Sequence, residues 1–247
     1  MRPRQAGEQG SDMTSVNTGI LRVKTWAALM LIFLCLPQWL HATSVLQVDM
    51  EQLLNDAAVI FEGEVIASDA KWNADNTYIS TWVTFRVDDV LKGELPSATI
   101  TQSFAGGTVG DTTLEVSGMV YPQLGETGIY FIENPDRPQV NPMVGWSQGH
   151  FKVKMDEQGT QRMFTESDVP IQGIDDAAPA SLQGENAQEV SVALPLSEGV
   201  AQGLRVGSSH DAADTAIDKQ DFKSALRARL SLVEAANDKS KKAAAAQ

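Results

Sequence analysis

The sequence predicts a mainly β protein: a small antiparallel β-barrel or sandwich with a short N-terminal helix, a disordered linker and a C-terminal helix. Three observations favour this class. Short segments rich in β-branched and aromatic residues recur between turn residues from Val45 to Phe164. The alternation of strands and helices that marks a parallel sheet is not visible there. Residues 165–216 contain no aromatic residue, so they offer little from which to build a core.

The longest predicted strand covers residues 78–93. Ile79 and Phe85 fall on one parity of this stretch, whereas Trp82 and Arg86 fall on the other. Successive side chains of a strand point to opposite faces, so the pattern indicates one buried and one wetter face. The Lys-Gly pair at its end predicts a chain reversal, and an antiparallel partner strand should follow at once.

The other elements are predicted in chain order from periodicity and turn residues. An amphipathic helix over Val45–Asp56 opens the domain, because apolar residues recur there at helical spacing. A strand over 57–67 follows, and Gly63 inside it predicts a bulge or bend. Further strands are expected at 98–104, 112–116 and 128–132, with a hairpin formed by 150–155 and 161–164.

These elements give a domain organisation. Residues 1–42 form a predicted signal peptide, 43–164 the β-barrel domain, 165–216 the disordered linker, 217–238 a helix and 239–247 a tail. In the C-terminal helix Phe222, Leu226, Leu230 and Val233 share one face. This face could dock on the barrel or on a partner, and we favour the barrel.

The first 42 residues predict export. Arg22 and Lys24 precede an apolar run, and Ala42 offers a small residue for cleavage. The protein is therefore expected in the periplasm or secreted, without stable membrane insertion after cleavage. The alternative is an uncleaved anchor, since Leu40 is bulky for the −3 position of the cleavage site. Met13 is an alternative start.

Cysteine content and charge exclude several kinds of site. The single cysteine, Cys35, lies inside the apolar run, so the exported chain has neither disulfides nor a thiolate metal site. The whole chain carries a net charge of −13, and residues 1–42 hold four basic and two acidic side chains. The remainder therefore carries −15. Such an acidic protein should be repelled by nucleic acid, and no nucleic-acid partner is expected.

One string matches a catalytic motif. Residues 145–149 read Gly-Trp-Ser-Gln-Gly, a G-x-S-x-G match that would make Ser147 a hydrolase nucleophile. His150 follows too closely for the usual order of that fold, and the more distant His210 lies in the linker. A strand-like pattern continues after the string, where a hydrolase elbow would open a helix. We therefore expect a glycine-bounded turn between two strands, and no catalytic residue is assigned.

Metal and cofactor sites are not predicted either. The exported chain has two histidines in segments of different character, and its carboxylates lack EF-hand spacing. Glu62 with Glu64, and Asp88 with Asp89, could in principle flank a sugar as glycosidase carboxylates do. Solvated strand faces explain both pairs more simply.

The remaining candidates are binding residues on loops and on the wetter strand face. The loop after Phe104 contains Gly106 and Gly107 but lacks the lysine of a P-loop, so it is expected to form a mobile rim for contacts. Trp82, on the wetter parity of the long strand, and Trp146 could contribute aromatic contacts, although each could equally be packing. The predicted binding residues are thus Trp82, Phe104, Gly106, Gly107 and Trp146.

Several of these strings together carry a family resemblance. The run Ala57-Ala-Val-Ile-Phe-Glu-Gly-Glu-Val65, the Leu91-Lys-Gly93 ending, the Gly-Gly loop and the Gly-Trp-Ser-Gln-Gly-His-Phe-Lys-Val153 segment resemble an uncharacterised family of exported bacterial proteins. They are also distantly similar to the netrin/tissue-inhibitor-of-metalloproteinase module. That resemblance implies an OB-like barrel and a binding role. The inhibitor modules act through an N-terminal cysteine and disulfides, which this chain lacks, so inhibition of metalloproteases is not implied.

The sequence therefore predicts an exported, non-catalytic protein that binds an envelope or extracellular protein. Two alternatives stay open. One is a serine hydrolase that uses Ser147, and the other is a structural envelope protein held by an uncleaved signal.

Overall fold

The computed structural model describes residues 44–175, 193–195 and 199–245. The predicted signal peptide and its cleavage site lie outside these ranges, as does most of the predicted linker. The elements in chain order are β1 (Ser44–Leu46), α1 (Met50–Asp56), β2 (Val59–Trp72), β3 (Ile79–Lys92), β4 (Thr99–Ala105), β5 (Gly107–Val109), β6 (Thr112–Leu114), β7 (Thr127–Ile132), a 3₁₀ turn (Trp146–Gly149), β8 (His150–Met155), β9 (Gln161–Thr165), β10 (Ile171–Ile174), β11 (Ala193–Pro195), β12 (Leu204–Val206), a second 3₁₀ turn (Ala213–Thr215) and α2 (Lys219–Ala245).

A six-stranded antiparallel sheet organises the domain, with the strand order β4-β3-β2-β7-β8-β9. In the described ranges three two-stranded pairs accompany it, namely β1 with β11, β5 with β6, and β10 with β12. The predicted mainly β, antiparallel class is confirmed, together with the short N-terminal helix and the C-terminal helix. Strands β4 and β9 are the ends of the large sheet, which is therefore open and not closed into a barrel.

The long strand β3 follows the predicted alternation. Ile79, Val83 and Phe85 are buried, whereas Trp82 and Arg86 are exposed. The predicted partner strand is β4, which pairs with β3 from Ser80 opposite Ala105 to Arg86 opposite Thr99.

Strand β2 is buried on both faces in its first half, because each face packs against a different core. Phe61 points into an inner core between the curled parts of the sheet, where its ring lies 5.5 Å from those of Phe85 and Tyr130. Ile60 points to the other side and packs on the helices. Register shifts along the β2–β3 ladder, one of them between Glu62 and Gly63, curl the sheet around the inner core.

The helix-side core joins the two ends of the described chain. α1 begins behind an N-cap, where the Asp49 side chain accepts a hydrogen bond from the Gln52 amide, and it buries Leu53 and Leu54. α2 is docked on the same core, as expected, and its buried face carries Phe222, Leu226 and Leu230. The helix runs to Ala245, beyond the predicted start of a tail at residue 239, because the lysines and alanines there are good helix formers.

A buried charge cluster fixes α2 on the sheet. The Nζ of Lys219 lies 2.5 Å from Oε1 of Glu62, and Lys223 contacts the other oxygen of the same carboxylate. Lys223 and Arg227 also reach Oδ2 of Asp89, each at 2.6 Å. Glu62 is opposite Asp89 in the β2–β3 register, so both carboxylates face the helix.

The solvated face expected for these carboxylates is therefore wrong for Glu62, which is 5% exposed. Burial alone would raise the pKa of Glu62, but the hydrogen bonds and charges of Lys219 and Lys223 outweigh it and lower the pKa below its usual value. The pKa of Asp89 is lowered in the same way. Burial alone would raise it, but the hydrogen bonds and charges of Lys223 and Arg227 outweigh this effect.

The predicted disordered linker is partly structured. β10 pairs antiparallel with β12, and Ile171 and Ile174 from β10 are buried in the helix-side core with Ala201. The surrounding sequence is polar and contains no aromatic residue, so its average composition does not predict that these few apolar residues are buried. Residues 176–192 and 196–198 of that linker lie outside the described ranges.

Removal of the Glu62 carboxylate should strongly destabilise the fold. Glu62→Ala leaves two buried lysines without their shared partner, and we expect a loss of about 3–5 kcal/mol in the free energy of unfolding by urea denaturation. Glu64→Ala is the matched control, because Glu64 sits two residues away and pairs with the exposed Arg86. It should cost no more than about 1 kcal/mol, and equal losses for the two variants would contradict the role given to the cluster.

The same cluster predicts sensitivity to acid. Because the folded pKa values of Glu62 and Asp89 are lowered, their contribution is complete above the unfolded pKa of about 4 and is lost as the pH falls through the folded values. Urea unfolding of wild type and Glu62→Gln at a series of pH values should show a steeper loss below about pH 4 in the wild type. Parallel curves would remove Glu62 from the acid response.

Candidate functional site

The solvent-facing side of β2, β3 and β4 holds the most conspicuous exposed aromatic residue of the sheet. Trp82 on β3 lies between Asp69 on β2 and Ser103 on β4 in the register, and its side chain is 38% exposed. Directly opposed residues of an antiparallel pair share a face, so Asp69 lies on the same side as Trp82. We call the surface formed by Asp69, Lys71, Trp82, Thr84, Arg86 and Thr101 the Trp82 face.

Polar side chains hold the rest of this face in place. The hydroxyls of Thr84 and Thr101 lie 2.9 Å apart across β3 and β4. Arg86 donates to Asp88 at 3.2 Å and to Glu64 at 2.6 Å, and these hydrogen bonds raise the pKa of its guanidinium. The result is a largely polar strand surface that presents one indole ring.

Gly106 and Gly107 pack closely against β3. Their φ angles are 90° and 129°, and a Cβ on Gly107 would lie 2.3 Å from Oγ1 of Thr81. Thr81 in turn donates from Oγ1 to the carbonyl of Gly106 at 2.8 Å, and the Gly106 amide donates to the carbonyl of Ile79. Close packing on β3 explains both glycines, so the expected mobile rim is not what this loop forms.

Phe104 is a core residue, which corrects its place among the predicted binding residues. It is 0% exposed and lies opposite Thr81 on the inner parity of β4. Its ring meets Tyr121 edge-on at 6.0 Å between centroids. Gly106 and Gly107 follow shortly after it and indicate a loop, whereas the parity of β4 directs the ring of Phe104 into the core.

Trp146 lies in a different place from Trp82. It is half-buried in the turn before β8, with a φ of 60° that non-glycine residues rarely adopt. It lines a small cavity together with Asn141, Met143, Ser147 and His150. Two strands, β2 and β7, separate β3 from β8 in the sheet. The structure therefore does not bring Trp82 and Trp146 into one site.

The Gly-Trp-Ser-Gln-Gly string forms a 3₁₀ turn between two strands, as expected from the sequence. Ser147 is 9% and His150 is 1% exposed. Nε2 of His150 lies 2.6 Å from Oε1 of Glu126, and the Tyr130 hydroxyl donates to the same oxygen at 3.3 Å. A serine, a histidine and a carboxylate thus occur within one small region, although hardly any of it reaches the surface.

Burial shapes the electrostatics of this group. Desolvation alone would raise the pKa of Glu126, but the hydrogen bond and charge of His150 outweigh it and hold the pKa below its usual value. Burial, together with the Glu126 carboxylate, raises the pKa of the Tyr130 phenol far above its ordinary range. Tyr130 is therefore a neutral hydrogen-bond donor that helps to hold Glu126.

Sequence reasoning missed two structural roles here. Gln148 accepts a hydrogen bond from the Val48 amide at 3.0 Å and donates to the carbonyls of Leu46 and Gly145. Its buried amide thereby attaches the segment before α1 to the turn before β8. Glu126 gave one signal, a carboxylate directly before an apolar strand, but its partner lies 24 residues away.

Other kinds of site find no support in the described part of the chain. No group of three or more His, Cys, Asp or Glu side chains in residues 44–175 and 199–245 is arranged to hold a metal ion. None of the helices in the same ranges combines the length and the apolar character that crossing a membrane requires. Comparisons with protein-family models, with curated proteins and with solved structures each find no match to the chain.

Proposed function

We propose that this chain is an exported, non-catalytic binding protein of the bacterial envelope or secretome, and that it holds an envelope or extracellular protein on the Trp82 face. One observation carries the proposal: Trp82 is 38% exposed on a strand face whose other members are polar. A tryptophan ring of this size is ordinarily buried in a protein core. A partner that covers the indole would recover the apolar area that the fold leaves in water.

The composition of the face supports a protein as the partner. Trp and Arg are the residue types that most often dominate binding energy at protein interfaces, and Trp82 and Arg86 lie on the same side of β3. They sit on a long paired strand, so little order would have to be gained on binding. The predicted signal peptide supports an interaction outside the cytoplasm.

Truncation of the indole tests the proposal. Trp82→Ala should reduce the capture of a specific protein from envelope or culture-supernatant extracts at least tenfold, because interface tryptophans commonly contribute about 2 kcal/mol or more. The measurement is a quantitative pull-down with the immobilised protein, followed by mass spectrometry. Any candidate identified in this way is then purified and titrated against both variants.

Leu124→Ala is the matched control for this experiment. Leu124 is 70% exposed, lies in the loop before β7 and is not one of the residues that form the Trp82 face. It should bind as the wild type does, and both variants should keep the wild-type circular dichroism spectrum. A protein captured equally by wild type and Trp82→Ala, or no reproducible capture at all, would count against the Trp82 face.

A second candidate function rests on the cavity before β8. A serine hydrolase would use Ser147 as nucleophile with His150 and Glu126, and the short His150–Glu126 contact favours this alternative. The burial of both Ser147 and His150 disfavours it, since a substrate needs access to the nucleophile. The structural envelope protein with an uncleaved signal stays a prediction on residues outside the described ranges.

A fluorophosphonate probe decides on the hydrolase. The binding proposal predicts no labelling of the wild type above that of Ser147→Ala, because the serine is enclosed. Labelling that disappears in Ser147→Ala would support the hydrolase instead. A known serine hydrolase labelled in the same reaction controls for the activity of the probe.

A further inference from the structure

Among the residues that the structure describes, strand β2 has no neighbouring strand along part of one edge. It pairs with β3 along its length, but its pairing with β7 ends at Glu64 opposite Thr127. Beyond the last backbone hydrogen bonds at Val65, the stretch Ile66–Trp72 has a strand partner on one side only within the described part of the chain. We call this stretch the free edge.

The two end strands of the sheet each form backbone hydrogen bonds to residues outside it. The Met163 and Thr165 amides of β9 donate to the carbonyls of Ile217 and Val169. At the opposite end of the sheet, the Ala105 amide of β4 donates to the carbonyl of Val140. Coverage of edge strands is one way in which a protein avoids unwanted pairing, and among the described residues Ile66–Trp72 form no such hydrogen bond on their open side.

The free edge is accessible. Ile66 is 42% exposed, and Ser68, Asp69 and Lys71 are exposed as well. The short strand β5 lies nearby, but Gly107 approaches the side chains of Thr81 and Ala70, which point to the inner face. β5 therefore lies against the inner face of this part of the sheet.

We propose that the free edge pairs with the same edge of a second copy of this chain, antiparallel and centred on Ala70. Such an interface is two-fold symmetric and brings Asp69 of each copy opposite Lys71 of the other. Both side chains lie on the Trp82 face, as their registers with Trp82 and Ser80 require. Two opposite-charge pairs thus form across the new pair of strands.

Charge selects this register over its neighbours. Residues that lie directly opposite each other in an antiparallel pair point to the same face of the sheet. When the two strands are identical and related by a two-fold axis, each register that meets this condition has one central residue that lies opposite its own copy. Centring on Asp69 places two aspartates opposite each other, and centring on Lys71 places two lysines together. The register centred on Ala70 has unlike charges at both positions.

The pairing joins the sheets of the two copies into one and places two Trp82 faces side by side. The strand order across the interface becomes β3-β2-β2-β3, with both Trp82 residues on the same side. With strands about 4.8 Å apart and a rise of about 3.3 Å per residue, the two indoles are separated by roughly 16 Å. A dimer can therefore engage two sites on one partner.

Charge reversal tests the interface. Protein purified after expression of the full chain should sediment as a dimer, and Lys71→Asp or Asp69→Lys alone should weaken dimerisation at least about tenfold, because two attractive pairs become repulsive. The double variant Asp69→Lys/Lys71→Asp should restore the dimer, since unlike charges are opposed again. The measurement is sedimentation velocity over a series of concentrations.

The control is Lys239→Asp, which makes the same charge change on an exposed part of α2 and should leave the dimer intact. Circular dichroism confirms that each variant is folded. A wild-type protein that stays monomeric overturns the proposal. Asp69 and Lys71 would then be charged side chains that keep the unpaired edge from pairing with other chains. A dimer that is indifferent to both single reversals, or that the double variant fails to restore, overturns it equally.

Discussion

The carboxylate of Glu62 is the constraint on which the arrangement of sheet and helix depends. Apolar contacts attract α2 to the sheet but tolerate sliding and rotation, because burial of apolar area has little directionality. A buried carboxylate that must meet two ammonium groups tolerates neither. Lys219, Lys223 and Arg227 recur every fourth residue along α2, so the helix has one face and one axial position that satisfy both Glu62 and Asp89. The charges thus define the geometry that the hydrophobic residues stabilise.

This docking also determines which surface remains for function. In its first half β2 is covered on one face by the helices and on the other by the inner core, and neither face is available. Farther along, β2 and β3 extend beyond the helices, and their outer side reaches solvent at Trp82. The side of the sheet that the helices leave uncovered there is consequently the one that offers an aromatic ring, a row of charged side chains and an open strand edge. The face proposed for binding and the inner core therefore lie on opposite sides of the same strand.

The sequence was sufficient for features that depend on local periodicity. The alternation in β3 and the Phe222-Leu226-Leu230 face of α2 are repeated signals, and each occurs where the pattern indicated. Features that depend on a distant partner were not accessible. Glu62 resembles a surface residue until a helix 157 residues later covers it. The glycines after Phe104 predicted an exposed loop position, although strand parity decides where its ring points. The apolar residues of β10 are too few to stand out in a polar neighbourhood, yet the core includes them.

The long separation between Glu62 and its lysines also bears on how the chain reaches its folded state. At typical synthesis rates of 5–20 residues per second, the stretch from Glu62 to Lys219 takes roughly 10–30 s to appear. Throughout that interval Ile60, Phe131 and Phe151 of the helix-side face have no helix α2 to cover them. Contacts of such high sequence separation form slowly, and an uncovered apolar sheet is prone to aggregate in the meantime. A holding chaperone, or delivery of the chain across the membrane before it folds, would meet this need.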